Sequence, residues 1–355
     1  MPNKLNTLSD LRVHLLHLLD DVFGPNGDRA ELVQQKMAYQ FNPHRKVVQS
    51  KGLWFEVVLN HARLSYVRST MAMTRQANQG VLHLGDNRTK RSLRPHMPPP
   101  GNDICQFCHL KQSALFISSL LLNDKDYALV VNPRPWGHHN FMLVTNDPEP
   151  QAMSRENLRN SFELIRILGS EYEAIFTGVQ AGASVYHFHL QIHKGSAAIW
   201  KNLEQGNIQL KPFFSAAGVT ASYAERWPAC VFAFESSDLD ALANVVSSMI
   251  ETFVKGENDF PYNIGFRTQG DVIRLLLFPR TGEEQPACME GHPDSWGRFG
   301  FLELGGSVFL LTPEAYEAVG ESGREIYEAI ASTSISPSES SKLISDFRTL
   351  AGDYI

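Results

Sequence analysis

Seven consecutive residues read His187-Phe188-His189-Leu190-Gln191-Ile192-His193, three imidazoles and an amide at every second position with apolar side chains between them. In a β-strand successive side chains point to opposite faces. The spacing therefore predicts a strand over 185–193 that gathers His187, His189, Gln191 and His193 on one face and turns Phe188, Leu190 and Ile192 to the other. A merely solvated strand face is usually built from Thr, Lys, Glu and Arg. With 13 histidines in 355 residues, three within seven point to chemistry instead. Three kinds of chemistry use such a face. Two imidazoles one residue apart can grip a metal ion. An imidazole can act as general base for a Ser or Cys nucleophile, although the chain has no Gly-x-Ser-x-Gly elbow. A neutral imidazole can also attack an α-phosphorus itself, forming a phosphoramidate. The turn Ala181-Gly182-Ala183-Ser184 suits the third case, because small residues leave backbone N–H groups open to an anion.

The surrounding elements follow from period and punctuation. Leu11, Leu15, Leu18, Leu19 and Val22 form a helical stripe that ends at Gly24-Pro25-Asn26-Gly27. Apolar runs at 53–59 and 64–68 read as strands, and the segment 85–101, basic and ending in three prolines, reads as an extended loop. Strands are predicted over 127–131 and 140–144, each closed by an Asn/Pro turn. Ser154 opens a helix with the stripe Leu158, Phe162, Ile165 and Leu168, stopped by Gly169. A further strand is predicted over 172–178.

Lys plus Arg number 32 against 38 Asp plus Glu, a net charge of -6 that gives no global attraction to nucleic acid or anionic lipid. Recognition of phosphate must therefore be local. No stretch approaches the ~20 apolar residues of a membrane-spanning helix, and the first residues lack a signal-peptide pattern, so a cytoplasmic location is expected. Four cysteines, two of them in Cys105-x-x-Cys108, fit a reducing compartment in which such a pair suggests metal or redox chemistry. Cys230 and Cys288 read as packing residues.

The stretch from Ala181 to Gln191, AGASVYHFHLQ, resembles the His-x-His-x-Gln signature of the histidine-triad superfamily in its transferase branch. That branch comprises the galactose-1-phosphate uridylyltransferases, diadenosine tetraphosphate phosphorylases and GDP-hexose phosphorylases. Asn132-Pro-Arg-Pro135, His138-His139, Pro150-Gln151, Phe41-Asn-Pro-His-Arg45, Cys105-Gln-Phe-Cys108 and the segment 301–316 add weaker similarity. The resemblance implies an α+β fold of antiparallel sheets with helices, built as two related halves. Setting 178–195 beside 265–282 agrees with this, because His187, His189 and His193 then fall opposite Arg274, Leu276 and Arg280. The implied organisation is a helical and irregular segment at 1–100, a catalytic half at 101–215, and a half without the nucleophile at 216–355.

Carried over by position, the resemblance makes His189 the nucleophile that becomes nucleotidylated and His187 the residue that orients it. Ser184 and the backbone of Gly182 and Ala183 would bind phosphate. Gln191 replaces the third histidine of the hydrolase branch. An amide can donate a hydrogen bond but cannot release a proton near pH 7, so transfer is favoured over hydrolysis. Arg134, Arg274 and Arg280 are candidate phosphate clamps. Thr177 stands where many members have asparagine, which Asn263 keeps in the second copy, and His193 is expected at the surface. No cofactor is required for the chemistry, whereas a structural zinc on Cys105 and Cys108, with His187, is implied by the uridylyltransferases. The substrates would be a nucleotide sugar or dinucleoside polyphosphate, with phosphate or a sugar phosphate as acceptor. No nucleic-acid or membrane partner is expected, and the superfamily is compatible with a homodimer. Two other readings stay open: a nucleotide hydrolase of histidine-triad or metal-dependent type, and a nucleotide-binding module with weak catalysis. The loops at 60–100 and 283–298 would choose base, sugar and acceptor.

Overall fold

Ser154 does what its position predicts. Its Oγ accepts a hydrogen bond from the Asn157 N–H at 3.1 Å and starts helix α2 (Arg155–Leu168), which Gly169 ends at φ 91°. Asp238 caps helix α4 (Leu239–Lys255) in the same way, its Oδ1 accepting from the amides of Asp240 and Ala241. Replacing Ser154 by alanine is expected to cost about 1 kcal/mol. Urea unfolding checks this, as an earlier midpoint with an unchanged slope.

The computed structural model describes residues 8–25, 27–30, 44–60, 105, 107–109, 113, 115–183, 185–255, 260–281, 289–292, 295–297 and 299–351. Ser184, Cys288, the strand expected at 64–68 and most of the two loops lie outside them. Helix α1 (Leu8–Phe23) precedes β1 (His44–Ser50) and β2 (Leu53–Leu59). Then come β3 (Phe116–Leu122), β4 (Lys125–Val131), β5 (His138–Thr145), α2, β6 (Tyr172–Thr177), β7 (His189–Lys194) and α3 (Ala198–Glu204). After α3 the chain forms β8 (Gln209–Ala216), β9 (Val219–Glu225), β10 (Phe232–Ser236), α4, β11 (Tyr262–Gln269) and β12 (Val272–Pro279). It ends with α5 (Phe301–Leu304), β13 (Ser307–Leu310), α6 (Pro313–Ala318), α7 (Arg324–Ser332) and α8 (Pro337–Ala351). Several hairpins close on two residues with left-handed backbone, Lys51-Gly52, Asn123-Asp124 and Ala217-Gly218, the geometry that matches strand twist.

Ten strands form one sheet in the order β3-β4-β5-β7-β6-β11-β12-β10-β9-β8. Its two ends have the same construction. Each runs strand, strand, strand, helix, strand, strand, and each inserts its fifth strand between its third and fourth. The two sets of five join where β6 and β11 pair antiparallel, Thr177 opposite Asn263 and Glu173 opposite Arg267. The fold is α+β and two-halved, and β8 opens the second set at Gln209. Helices α1, α2, α4 and α8 cover one face, burying Leu158, Phe162, Phe176, Leu190, Ile192, Val246, Phe266 and Leu275.

A three-stranded sheet, β1-β2-β13, covers much of the other face together with α3 and α5. Strand β13 runs parallel to β2, so the N-terminal segment is completed by residues 307–310. Gly265 permits this packing: a Cβ there would lie 2.0 Å from Cζ of Phe301, whose ring rests on the strand. No helix among the described residues is long and apolar enough to cross a membrane.

One strand differs from the sequence pattern. Strand β7 begins at His189, not at Val185, because the preceding backbone is drawn to another segment: the Phe188 amide donates to Glu149 O at 2.8 Å. His189, Gln191 and His193 share the face opposite Leu190 and Ile192, as alternation requires. His187 sits in the bend before them.

Candidate active site

His189 is buried and held through both its backbone and its ring. Its N–H donates to Oε1 of Gln151 at 2.8 Å, and Nε2 of the same glutamine donates to the carbonyls of His189 (3.1 Å) and Thr177 (2.9 Å). Nδ1 lies 2.9 Å from the His187 carbonyl. A carbonyl only accepts, so Nδ1 carries the hydrogen and Nε2 keeps the lone pair. Burial lowers the His189 pKa to about 4. The edge of Phe107 packs on the ring, centroids 5.0 Å apart.

Gln191 is oriented by its carbonyl oxygen. Oε1 accepts from Nε1 of Trp136 at 2.6 Å and from Nδ2 of Asn132 at 3.3 Å, which leaves the NH2 end as the group available to a ligand. Asn132 is itself tied to Asn140 (2.8 Å) and accepts the Arg134 amide (2.9 Å), so the Asn-Pro-Arg-Pro turn is part of this network. Trp136→Phe removes the shorter of two hydrogen bonds to a half-buried acceptor. We expect a stability loss of about 1–3 kcal/mol, read by urea denaturation.

His187 faces away from this network. Its Nε2 donates to the Thr145 carbonyl at 2.9 Å, so Nδ1 carries the lone pair, and Nδ1 lies 3.5 Å from the Sγ atoms of both Cys105 and Cys108. All three ligand atoms fall within 4.8 Å of one another. Zinc bonded at ~2.3 Å to sulfur and ~2.0–2.1 Å to nitrogen in a tetrahedron has an N···S edge of about 3.5 Å, so these donors fit a structural zinc. Burial and the neighbouring Cys108 push the Cys105 thiol up, a shift that a bound cation would reverse.

The turn before His187 is held from the second half. Ala181 and Ala183 are buried and both donate their amides to the Gly178 carbonyl, at 3.0 and 3.3 Å. The Ala181 carbonyl accepts from Nδ2 of Asn263 at 2.9 Å and from Nη1 of Arg280 at 3.3 Å. Gly182 has φ 111°, and a Cβ there would come within 3.2 Å of the Phe299 carbonyl and of Thr177 Cγ2.

Three expectations are corrected. Arg280 is not a phosphate clamp: it is fully buried, and Nη1 is spent on the carbonyl oxygens of Ala181, Phe299 and Asn263. Burial pulls its pKa down to about 10. Arg274 lies on β12, three strand spacings or roughly 14 Å from β7, and is paired with Glu235 at 2.6 Å. His193 is not at the surface. It is buried against Trp136, ring centroids 4.5 Å apart, with Nε2 3.7 Å from a Glu173 oxygen. Burial drives its pKa down to about 3 and that of Glu173 up to about 7, so at neutral pH the histidine is uncharged and the contact is not an ion pair. Glu173 accepts instead from the indole of Trp200 and the amide of Ala197.

Neither a family model nor a curated protein matches the chain. Solved structures do. Yeast Ap4A phosphorylase Apa2 in complex with Ap4A aligns with a TM-score of 0.64 at 14% identity, over 90% of this chain and 97% of that one. The same enzyme in complex with AMP aligns at 0.59 and 13%, over 90% and 96%. The chain has the fold of this Ap4A phosphorylase. The two-halved α+β architecture implied by the sequence resemblance is therefore present, and the likeness to the phosphorylase spans nearly the whole of both chains. Within that fold, Gln151, Trp136, Phe107 and Asn263 are site neighbours whose roles sequence reading missed. Pro150-Gln151 is part of the resemblance, but nothing in its type or spacing shows that one amide ties two strands.

Proposed function

We propose that the chain is a nucleotidyltransferase of the phosphorylase kind, acting on a dinucleoside polyphosphate or a nucleoside diphosphate sugar through a nucleotidyl-His189 intermediate. The observation that carries this reading is the tautomer of His189, with Nδ1–H given to the His187 carbonyl and Nε2 left as a lone pair on a neutral ring. In the first step Nε2 bonds to the α-phosphorus, and the bridging P–O bond breaks. Its electron pair leaves with the departing nucleoside polyphosphate, when the donor is a dinucleoside polyphosphate, or with the sugar phosphate, when it is a nucleotide sugar. In the second step an oxygen of the phosphate acceptor attacks the same phosphorus and the N–P bond breaks, which returns the neutral imidazole.

Gln191 would direct its NH2 group to a phosphate oxygen and supply no proton, so water gains little from the site and the acceptor must bring its own nucleophilicity. That supports transfer. The first half would carry the chemistry, while the second, from β8 at Gln209 onward, keeps the strand order without the nucleophile. Cys105, Cys108 and His187 would hold a zinc that fixes His187 and takes no part in bond making. The Apa2 complexes with Ap4A and AMP make adenylated donors the first to try.

The test is intact-mass spectrometry of the purified protein mixed with Ap4A and with ADP-, GDP- and UDP-sugars in the absence of acceptor. A nucleotidyl adduct that phosphate discharges as a nucleoside diphosphate is expected. Turnover abolished by a chelator with no adduct on any donor would make the protein a metal-dependent hydrolase. Tight nucleotide binding with neither adduct nor turnover would make it a binding module.

A further inference from the structure

We propose that Arg280 and Asn263, contributed by the half without a nucleophile, are positioning residues that aim the Gly182 N–H at the substrate phosphate by holding the Ala181 carbonyl inward. The inference rests on the reading above for the identity of the phosphate. In a trans peptide the carbonyl and the following N–H point to opposite sides. Fixing the Ala181 carbonyl on Asn263 Nδ2 and Arg280 Nη1 therefore fixes the Gly182 N–H in the opposite direction.

The neighbouring amides show the same selection. Ala181 and Ala183 turn theirs in to the Gly178 carbonyl, whereas among the described residues nothing accepts the Gly182 N–H, and Gly182 is the one of the three that reaches the surface. Its positive φ is one that side chains strain, and a Cβ would press on the Phe299 carbonyl at 3.2 Å, so glycine suits the position that presents this amide. The direction is useful because Thr177 ties the turn to the nucleophile. Thr177 Cγ2 lies against Gly182, and the Thr177 carbonyl accepts from the same Gln151 that holds the His189 backbone.

Asn263 alone would suffice as a structural tie. Adding a guanidinium is costly in a buried site unless its charge has a use. Nη1 of Arg280 is directed at carbonyl oxygens, and the carboxylate of Glu303 favours its charged form against the cost of burial. A cation behind the turn polarises the 181–182 peptide and adds a field that favours an anion in front of it. This gives the second half a task in the reaction even though Leu276 stands in the position of His189.

The experiment compares wild type, Arg280→Met and Arg280→Lys by calorimetric titration with adenosine 5′-monophosphate and with adenosine. If neither ligand binds the wild type, the mono- and unphosphorylated nucleosides of the donor that forms the adduct replace them. Arg280→Met should weaken the monophosphate by roughly ten- to hundredfold, the range for a lost hydrogen bond to a charged group, and leave the nucleoside unchanged. Arg280→Lys, which keeps the charge, should lose less, and it replaces the methionine variant if that one fails to fold. Equal weakening of both ligands, or no weakening of the monophosphate in a folded variant, overturns the proposal. If the wild type forms no adduct and the monophosphate is still selectively weakened, the covalent mechanism fails and the positioning role stands.

Discussion

His189→Ala should lower phosphate-dependent turnover by at least about a thousandfold and abolish the nucleotidyl adduct, because it deletes the atom that bonds to phosphorus. The variant should stay folded. What it loses structurally is one hydrogen bond to the His187 carbonyl and the edge contact with Phe107, while the Gln151 bridge to Thr177 acts on backbone atoms that alanine retains. Thermal unfolding and nucleotide titration check that the loss is chemical: the monophosphate should bind His189→Ala within a few-fold of wild type. His193 offers the sharpest internal control. It lies on the same strand face, but its ring is sealed beneath Trp136 and against Glu173, so it has no path to substrate. Peptide mapping that places the adduct on His193, or an adduct that persists in His189→Ala, would overturn the assignment.

The contrast between these two histidines shows where reading by spacing stops. Period-two alternation placed His189, Gln191 and His193 on one face, and the sheet keeps that arrangement. Alternation carries no information about what lies above a face. His193 is buried because Glu173 comes from the adjacent strand and Trp136 from the turn before β5, and neither relation is written in local sequence. The same limit explains Val185. The apolar pattern runs on through 185–188, yet the backbone there is claimed by Glu149, and the His187 ring by Thr145 and by cysteines about 80 residues away.

Arg280 fails in another way. An arginine beside a predicted site reads as a phosphate clamp, and the carbonyls that absorb it lie 17, 19 and 99 residues away in sequence. The repeat fared differently because it depends on the order of elements. Both sets of five strands use one connectivity, so matching two Gly-led strands placed β7 and β12 in equivalent positions. Helix α4, with its Asp238 cap and its buried Leu242, Val246, Met249 and Phe253, completes that correspondence.

Removing the metal should have the second largest effect, on stability and activity together. The wild type is expected to carry about one zinc per chain by elemental analysis, lost in Cys105→Ser and Cys108→Ser. A metal bound at a thousandfold excess over its Kd stabilises the fold by about 4 kcal/mol, which for a chain of 355 residues is roughly 5 °C in Tm. Prolonged chelation should reproduce the shift, and zinc should restore it. The activity should fall too, although zinc makes no bond to substrate. His187 would lend its ring to the metal, and its backbone carbonyl accepts the hydrogen bond from Nδ1 of His189, so releasing the ring would loosen the acceptor that sets the nucleophile's tautomer. The Cys105–Cys108 turn also carries Phe107, whose edge rests on the His189 ring. Supporting groups of this kind commonly cost ten- to hundredfold when removed. Nucleotidylation should therefore slow in the cysteine variants while the adduct, once formed, still maps to His189. A chain that copurifies with no metal, and whose Tm and nucleotidylation rate ignore both the chelator and the serine substitutions, would show that the two thiols are packing residues and that His187 is held by Thr145 alone.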